Sequence, residues 1–282
     1  MIAVRDLHFG YENKDKPLLK GINLDIADGE HLAIIGPNGC GKTTLIKLLN
    51  ALLVPTAGSV EVDGLDSRDQ RSAARIRRAV GMVFQNPDNQ IVGMTVEEDI
   101  AFGPGNLGLS PDVIRERVES SLRMVGLWEK RDRAPYTLSG GEKRLVAVAG
   151  VLAMEPRYIA LDEPTSYLDP TGRRAVLELI GKLHSSGIGI IQVSHDMEEI
   201  VGAQRIIALA GGEIALQGKP QDILTRTSLL REMGLDVPWA AQLVSRLRGQ
   251  GMDLPGKALT LEEACEEILK AGAARPRRAA EG

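Results

Sequence analysis

The chain opens with alternating apolar and polar positions, IAVRDLHF at 2–9 and LLKGINLDI at 18–26, and the second run closes on Asp28-Gly29. Alternation of period two marks half-buried strands and Asp-Gly is a hairpin-type turn, so the first thirty residues are expected to form an antiparallel β edge. A different pattern follows. Short, solidly apolar runs bounded by turn residues recur as HLAII (31–35), AVGMVF (79–84), RYIAL (157–161), IGIIQV (188–193) and RIIALA (205–210). Strands covered on both faces read this way, which predicts a mainly parallel sheet core.

Between these strands the apolar period lengthens to that of a helix. SPDVIRERVESSLRMVGL places Ser110 at an N-cap and Pro111 at the first helical position, then sets Val113, Ile114, Val118, Leu122 and Val125 on one face. TVEEDIAF begins with the capping box Thr95 and Glu98. Residues from about 86 to 155 are therefore expected to be a helical insert in a domain spanning 1–230. From 231 to 271 two amphipathic stretches predict a small helical C-terminal extension. The second, LTLEEACEEIL, is opened by a Thr260/Glu263 box with Leu261, Ala264, Cys265 and Ile268 on one face, so Cys265 is expected in the core. The ending at 272–282, GAARPRRAAEG, is small and polar with a proline and is expected to be disordered.

The chemistry begins with GPNGCGKTT, which matches G-x-x-x-x-G-K-[ST] at Gly36, Gly41, Lys42 and Thr43, directly after an apolar strand and before the helical LIKLLNALL. That context defines a P-loop: backbone N–H groups wrap a polyphosphate, Lys42 reaches the outer phosphates, and the Thr43 hydroxyl binds Mg²⁺. Asn38, Gly39 and Thr44 complete the nucleotide-binding loop. Three further polar groups end apolar strands: Gln85, the pair Asp162-Glu163, and His195. In an open parallel sheet the ligand crevice lies beyond the carboxyl ends of the strands, so four strands deliver these side chains to one place. Phosphoryl transfer to water needs a metal holder, a base and groups that orient the γ-phosphate. Asp162 suits the metal, Glu163 the base, Gln85 a bridge between metal and water, and His195 a donor to the γ-phosphate. Taken singly, a strand-end aspartate also caps a helix and a lone histidine is usually structural. As a set they point to phosphoryl transfer to water.

A second glycine turn, TLSGGE, precedes the apolar helix KRLVAVAGVLAM. Ser139 and Glu142 form a capping box there, and a helix start with two glycines and a hydroxyl is also an anion site. Composition narrows the setting. Thirty-four basic and 38 acidic residues, a formal charge of −4, argue against a nucleic-acid partner. Two cysteines, Cys40 and Cys265, give no disulfide framework and suit a reducing compartment. No apolar run approaches the ~18 residues that span a bilayer, and the start of the chain does not read as a signal peptide.

The set GPNGCGKTT, Gln85, LSGGE, YIALDEP, SYLD and His195 resembles the nucleotide-binding subunit of ATP-binding cassette (ABC) transporters, in the family's order and over roughly residues 1–230. In that family two domains pair head to tail, and the Ser-Gly-Gly turn of one completes the ATP site of the other. The resemblance implies that Ser139, Gly140 and Gly141 contact γ-phosphate in trans, that Asp169 lies at the dimer interface and that Tyr11 stacks on adenine. The family frequently has Gln where Glu142 stands and commonly Arg where Leu145 stands. A narrower resemblance, carried by VFQNPDNQIVGMTVEEDIAFGPGNLGL, AGVLAMEP, LDEPTSYLDPTGRR and GLDVPWAAQLVSRLRGQGMDLP, is to the ATPases of energy-coupling factor (ECF) importers of vitamins or of cobalt and nickel ions. It implies a second, identical or paralogous ATPase, a transmembrane scaffold that docks on the helical insert, a substrate-binding membrane subunit, and a place at the cytoplasmic face of the cell membrane. The alternatives are the ATPase of another ABC importer or a soluble ABC-type ATPase. A P-loop GTPase is set aside, because NKDK at 13–16 lacks the final aspartate of the guanine-reading motif.

Overall fold

The computed structural model describes residues 1–12 and 16–274. Two sheets share the molecule. In the first, β1 (Ile2–Phe9) and β2 (Leu19–Ile26) pair antiparallel with Ile2 opposite Ile26 and Phe9 opposite Leu19. Asp28-Gly29 closes no hairpin between them, contrary to the turn's usual role. It carries the chain out of this sheet into β3 (His31–Ile35), the buried middle of the second sheet. The reason lies in burial: β2 alternates buried and exposed positions, whereas HLAII is apolar enough to be covered on both faces and pairs with other such strands.

Beyond β3 the chain loops into α1 (Lys42–Leu49), then returns to β1's free edge as β4 (Ala57–Val62) and the two-residue β5 (Leu65–Asp66), giving the order β2-β1-β4-β5. Next, α2 (Gln70–Ala79) leads into β6 (Val80–Val83). The insert follows as α3 (Val96–Asn106), α4 (Pro111–Met124) and α5 (Gly140–Leu152). The Thr95/Glu98 capping box is present. Ser110 takes the N-cap backbone position without a side-chain cap bond, and Pro111 fills the first turn. Val118, Leu122 and Val125 are buried together with the apolar face of α5.

The chain then alternates through β7 (Tyr158–Asp162), α6 (Pro170–Ser185) and β8 (Gly189–Val193), and finishes the sheet with β9 (Arg205–Ala210) and β10 (Glu213–Gly218). The second sheet is ordered β10-β9-β3-β8-β7-β6, parallel apart from the β9–β10 hairpin. Every residue of β3, β6, β7 and β8 is buried. One core lies between the two sheets around α1; another joins the inner face of α5 and α6 to β7 and β8.

Two short helices, α7 (Pro220–Leu224) and α8 (Thr227–Glu232), lead to α9 (Trp239–Gly249) and α10 (Leu261–Ala274). The Thr260/Glu263 box opens α10, with both reciprocal bonds at 3.2 Å. The inward face of α10 is Ala264, Ile268 and Ala271, packed on Ala240 and Val244 of α9. Cys265 and Leu261 are exposed, which corrects the expected core position of the cysteine. Spacings of four and three residues select the inward face, and Cys265 stands about 100° round the helix from Ala264. The helix runs to Ala274, into the segment expected to be a disordered tail; the rest of that tail, from 275, lies outside the described residues.

Candidate active site

Parallel strands of one sheet end on one side, so the residues just beyond β3, β6, β7 and β8 share a crevice. After β3 the loop turns so tightly that Gly36 is obligatory: its φ is +153°, and a Cβ there would sit 2.5 Å from the Leu209 carbonyl oxygen. Gly41, φ +108°, occupies the N-cap of α1 and leaves the first amides of that helix without a side-chain cap. These free donors and the helix dipole make the loop an anion cradle. The Lys42 ammonium, almost buried, donates to the carbonyls of Gly36 (2.6 Å) and Pro37 (3.1 Å), so it is already folded back across the loop mouth. Tyr11, past the end of β1, shares a 3.1 Å hydrogen bond with the Thr44 hydroxyl and stands edge-on to Phe9. It is thereby fixed beside the loop with part of its ring exposed.

Thr43 and Asp162 meet directly. The hydroxyl donates to both carboxylate oxygens, at 3.0 and 2.9 Å. Burial raises the Asp162 carboxyl pKa above its ordinary value; the bond from Thr43 opposes this and the neighbouring Glu163 charge adds to it. Glu163 itself has a positive φ of 46°, a strained backbone for a residue with a side chain. That kink aims its carboxylate at the other strand ends. One oxygen, Oε2, accepts from Gln85 Nε2 (2.7 Å) and from Ser166 Oγ (2.9 Å) and lies 3.4 Å from His195 Nδ1. His195 is largely exposed, 62% by side chain, so its ring faces open space on the other side. A cavity of about 530 Å³ is lined by Gly36, Pro37, Asn38, Gln85, Glu163, Tyr167 and His195.

Gly234, Leu235 and Asp236, from the segment joining α8 to α9, form the remaining wall of that cavity. Sequence reasoning gave them no place in the site, because GLDVPW entered only as part of the ECF-like segment and as the lead into an amphipathic stretch. It also missed Ser166, whose hydroxyl helps hold Glu163; its place three residues after the glutamate, on a turn, was the available signal.

The second glycine turn stands apart. Ser139 caps α5 and its capping box with Glu142 is complete: Ser139 N–H donates to Glu142 Oε2 at 2.9 Å and Glu142 N–H donates to Ser139 Oγ at 3.3 Å. Lys130 pairs with Glu142 and, with the Ser139 amide, lowers its carboxyl pKa. Gly141 packs on α6, where a Cβ would meet Gly172 at 3.0 Å, next to the turn in which Asp169 caps α6 by accepting from the Gly172 amide at 2.9 Å. Gly140 lines a different cavity, together with Gln85, Lys143, Arg144, Tyr167 and Leu168. Gln85, Glu163 and His195 are thus brought together facing the P-loop, with the Thr43–Asp162 pair beside them, and Gly140 of the second turn lines an adjoining cavity that shares Gln85 and Tyr167. Leu145, where the family commonly has arginine, is a core residue of α5.

Comparison with known proteins agrees with this geometry. The ABC transporter family model matches residues 19–166. The cobalt import ATP-binding protein CbiO of Syntrophus aciditrophicus is 55% identical, over 95% of this chain and 96% of its own length. The energy-coupling factor transporter ATP-binding protein EcfA1 of Caldanaerobacter subterraneus is 48% identical, over 96% and 99%. Among solved structures, the dimeric post-hydrolysis state of the ATP-binding cassette MJ0796 bound to ADP and phosphate superposes with a TM-score of 0.70 at 31% identity, covering 78% of this chain and 99% of that one. A P-loop at the end of β3, carboxylates at the end of β7, and relatives matched over nearly their whole length leave one assignment: the chain belongs to the ABC transporter family, among its ATP-binding, ATP-hydrolysing subunits.

Proposed function

We propose that this protein is the energy-coupling ATPase of an ECF-type importer, closing on ATP with a second ATPase subunit and opening after hydrolysis to drive uptake of a vitamin or a transition-metal ion. The observation that carries the reading is that Glu163 and His195 face the P-loop across one cavity, while Gly140 of the Ser139 turn lines an adjoining one that meets the first only at Gln85 and Tyr167. A site complete in one chain would bring both to the same phosphate. In a head-to-tail pair Ser139, Gly140 and Gly141 serve the partner's γ-phosphate, and Asp169, at the start of the helix packed on that turn, lies at the interface.

Within its own site the chain binds triphosphate on the amides of 36–44, with Asn38, Gly39 and Gly41 in the loop and Tyr11 against the adenine. Lys42 exchanges the carbonyls it now holds for phosphate oxygens. The oxygens of Thr43 and Asp162, with the amide of Gln85, fit Mg²⁺, and no group of three or more His, Cys, Asp or Glu side chains gathers as a metal cage among the described residues. So sparse a set of hard donors suits an ion that keeps waters and takes phosphate oxygens. When bound, Mg²⁺ neutralises charge developing on the phosphates. Glu163 is the base: Oε2 is occupied by Gln85 and Ser166, which leaves Oε1 to take a proton from the attacking water. His195 steadies the γ-phosphate from beside that carboxylate.

The membrane partners are a transmembrane scaffold and a substrate-binding subunit, which place the chain peripherally at the cytoplasmic face. No helix among the described residues is long and apolar enough to cross a membrane. The exposed side chains of Val92, Met94 and Phe102 on and before α3 support the insert as the docking side. Glu163→Gln in the complex purified with its membrane partner tests the reading: ATP should bind as before and turnover should fall at least ~100-fold. Unchanged turnover would remove Glu163 from the role of base, and recovery of the chain only with ribosomes or DNA would reject the importer.

A further inference from the structure

Arg144 has the largest fully buried side chain of the described residues, 1% exposed. A cation taken out of water costs several kcal/mol unless it is met by partners. Its partners are backbone: Nη1 donates to the Phe84 carbonyl and Nη2 to the Gln85 carbonyl, while Nε has no partner. The guanidinium therefore closes a fork on two successive carbonyls just beyond β6, at the residue whose side-chain amide holds Glu163. Arg144 projects from α5, the helix that Ser139 caps. From the same turn of that helix Lys143 reaches Asp88 at 2.7 Å, a second tie across to the Gln85 segment but one open to solvent and screened. Both ties stand in the wall of a cavity of about 470 Å³ that Gly140 and Gln85 also line.

We propose that Arg144 is a positioning residue that couples the two ATP sites of the paired ATPases, by clamping the Gln85 backbone of one site to the helix whose Ser139 turn serves the other. The inference rests on the reading of Ser139 as a contact in trans. A planar fork on two carbonyls resists both rotation and sliding, so a shift of α5 on meeting the partner's phosphate is passed to Gln85 and through it to Glu163. A single flexible contact would transmit much less.

ATP hydrolysis by the complete transporter, followed across ATP concentrations, tests this. The wild type is expected to respond cooperatively, with a Hill coefficient clearly above 1. Arg144→Lys keeps the charge but replaces the fork by one point donor; Arg144→Met removes the charge. Both are expected to bring the Hill coefficient to about 1 and to lower kcat several-fold, while a non-hydrolysable ATP analogue binds the isolated chain within about twofold of wild type. In a Gln85→Ala background Arg144→Lys should add no further loss, since the clamp acts through Gln85. A folded Arg144→Lys protein with wild-type steepness, additive losses with Gln85→Ala, or a non-cooperative wild type each overturn the proposal; Arg144→Lys decides if Arg144→Met does not fold. A Glu163→Gln chain that binds ATP yet never dimerises would sink the pairing itself, whereas a dimer with Arg144→Lys behaving as wild type sinks this inference alone.

Discussion

Asp162 is held where its charge is least welcome. Buried at the end of β7, its carboxyl has a raised pKa, so the folded chain binds that proton more tightly than the unfolded one. The sign follows: this group's contribution to stability is greatest at low pH and is lost as pH rises through the raised value, leaving a cost at neutral pH. Asp162→Asn keeps an acceptor for the Thr43 hydroxyl and removes the charge. It is expected to hold or raise stability at pH 7 by up to ~1 kcal/mol and to flatten its pH dependence, while the Mg²⁺ needed for half-maximal turnover rises about 10–100-fold. Urea midpoints at pH 5 and 8 beside a Mg²⁺ titration would show both. Loss of stability at pH 7 would contradict the burial argument. At this scale the gathering of Gln85, Glu163 and His195 was readable because a polar residue directly after an all-apolar parallel strand emerges at the crevice. Ser166 and Asp236 were not, because their positions depend on how turns fold back.

Elements were most legible where one pattern admitted one structure. HLAII and RIIALA became strands with the expected limits, since runs buried on both faces have no competing surface role. The weaker alternations AGSVEV and EIALQG, now β4 and β10, were not recognised, because each exposes much of its surface. The long α6 was also unannounced, although Asp169 and Pro170 stand where an N-cap and first-turn proline belong. Capping boxes were the surest signals, and the one at α5 would, on the proposed pairing, carry two duties that mutation can separate. Ser139→Ala should cost ~1 kcal/mol by removing the cap, and turnover with it. Ser139→Asp should keep the cap and the melting temperature yet abolish turnover, by setting a carboxylate against the partner's phosphate. Thermal melts and ATPase rates on the two variants distinguish the roles; an active Ser139→Asp would confine Ser139 to capping.

Over the whole molecule, the crevice is shared between parts far apart in sequence. Leu235 packs with Ala33 and Ile35 of β3 and with Met197 and Ile200 after His195, and the Trp239 amide donates to Glu198 at 2.7 Å. The chain just before the extension is therefore rooted in the strand that bears the P-loop and in the turn that bears His195. Leu235→Ala should destabilise by roughly 2–5 kcal/mol, and denaturant unfolding should remain a single transition. A separate early phase would mean that the extension folds as an independent unit. The amphipathic pattern from 231 onward could not have disclosed this, since the partners of Leu235 lie up to about two hundred residues away. The lining at 234–236 also bears on how the enzyme is handled. A cassette trimmed before Gly234 would lack one wall of the cavity beside its P-loop, so, on the function proposed above, rates or inhibitor affinities measured on such a fragment would describe a different enzyme. By the same token, a compound that spans from the phosphate loop to that wall would distinguish this chain from cassettes that end earlier.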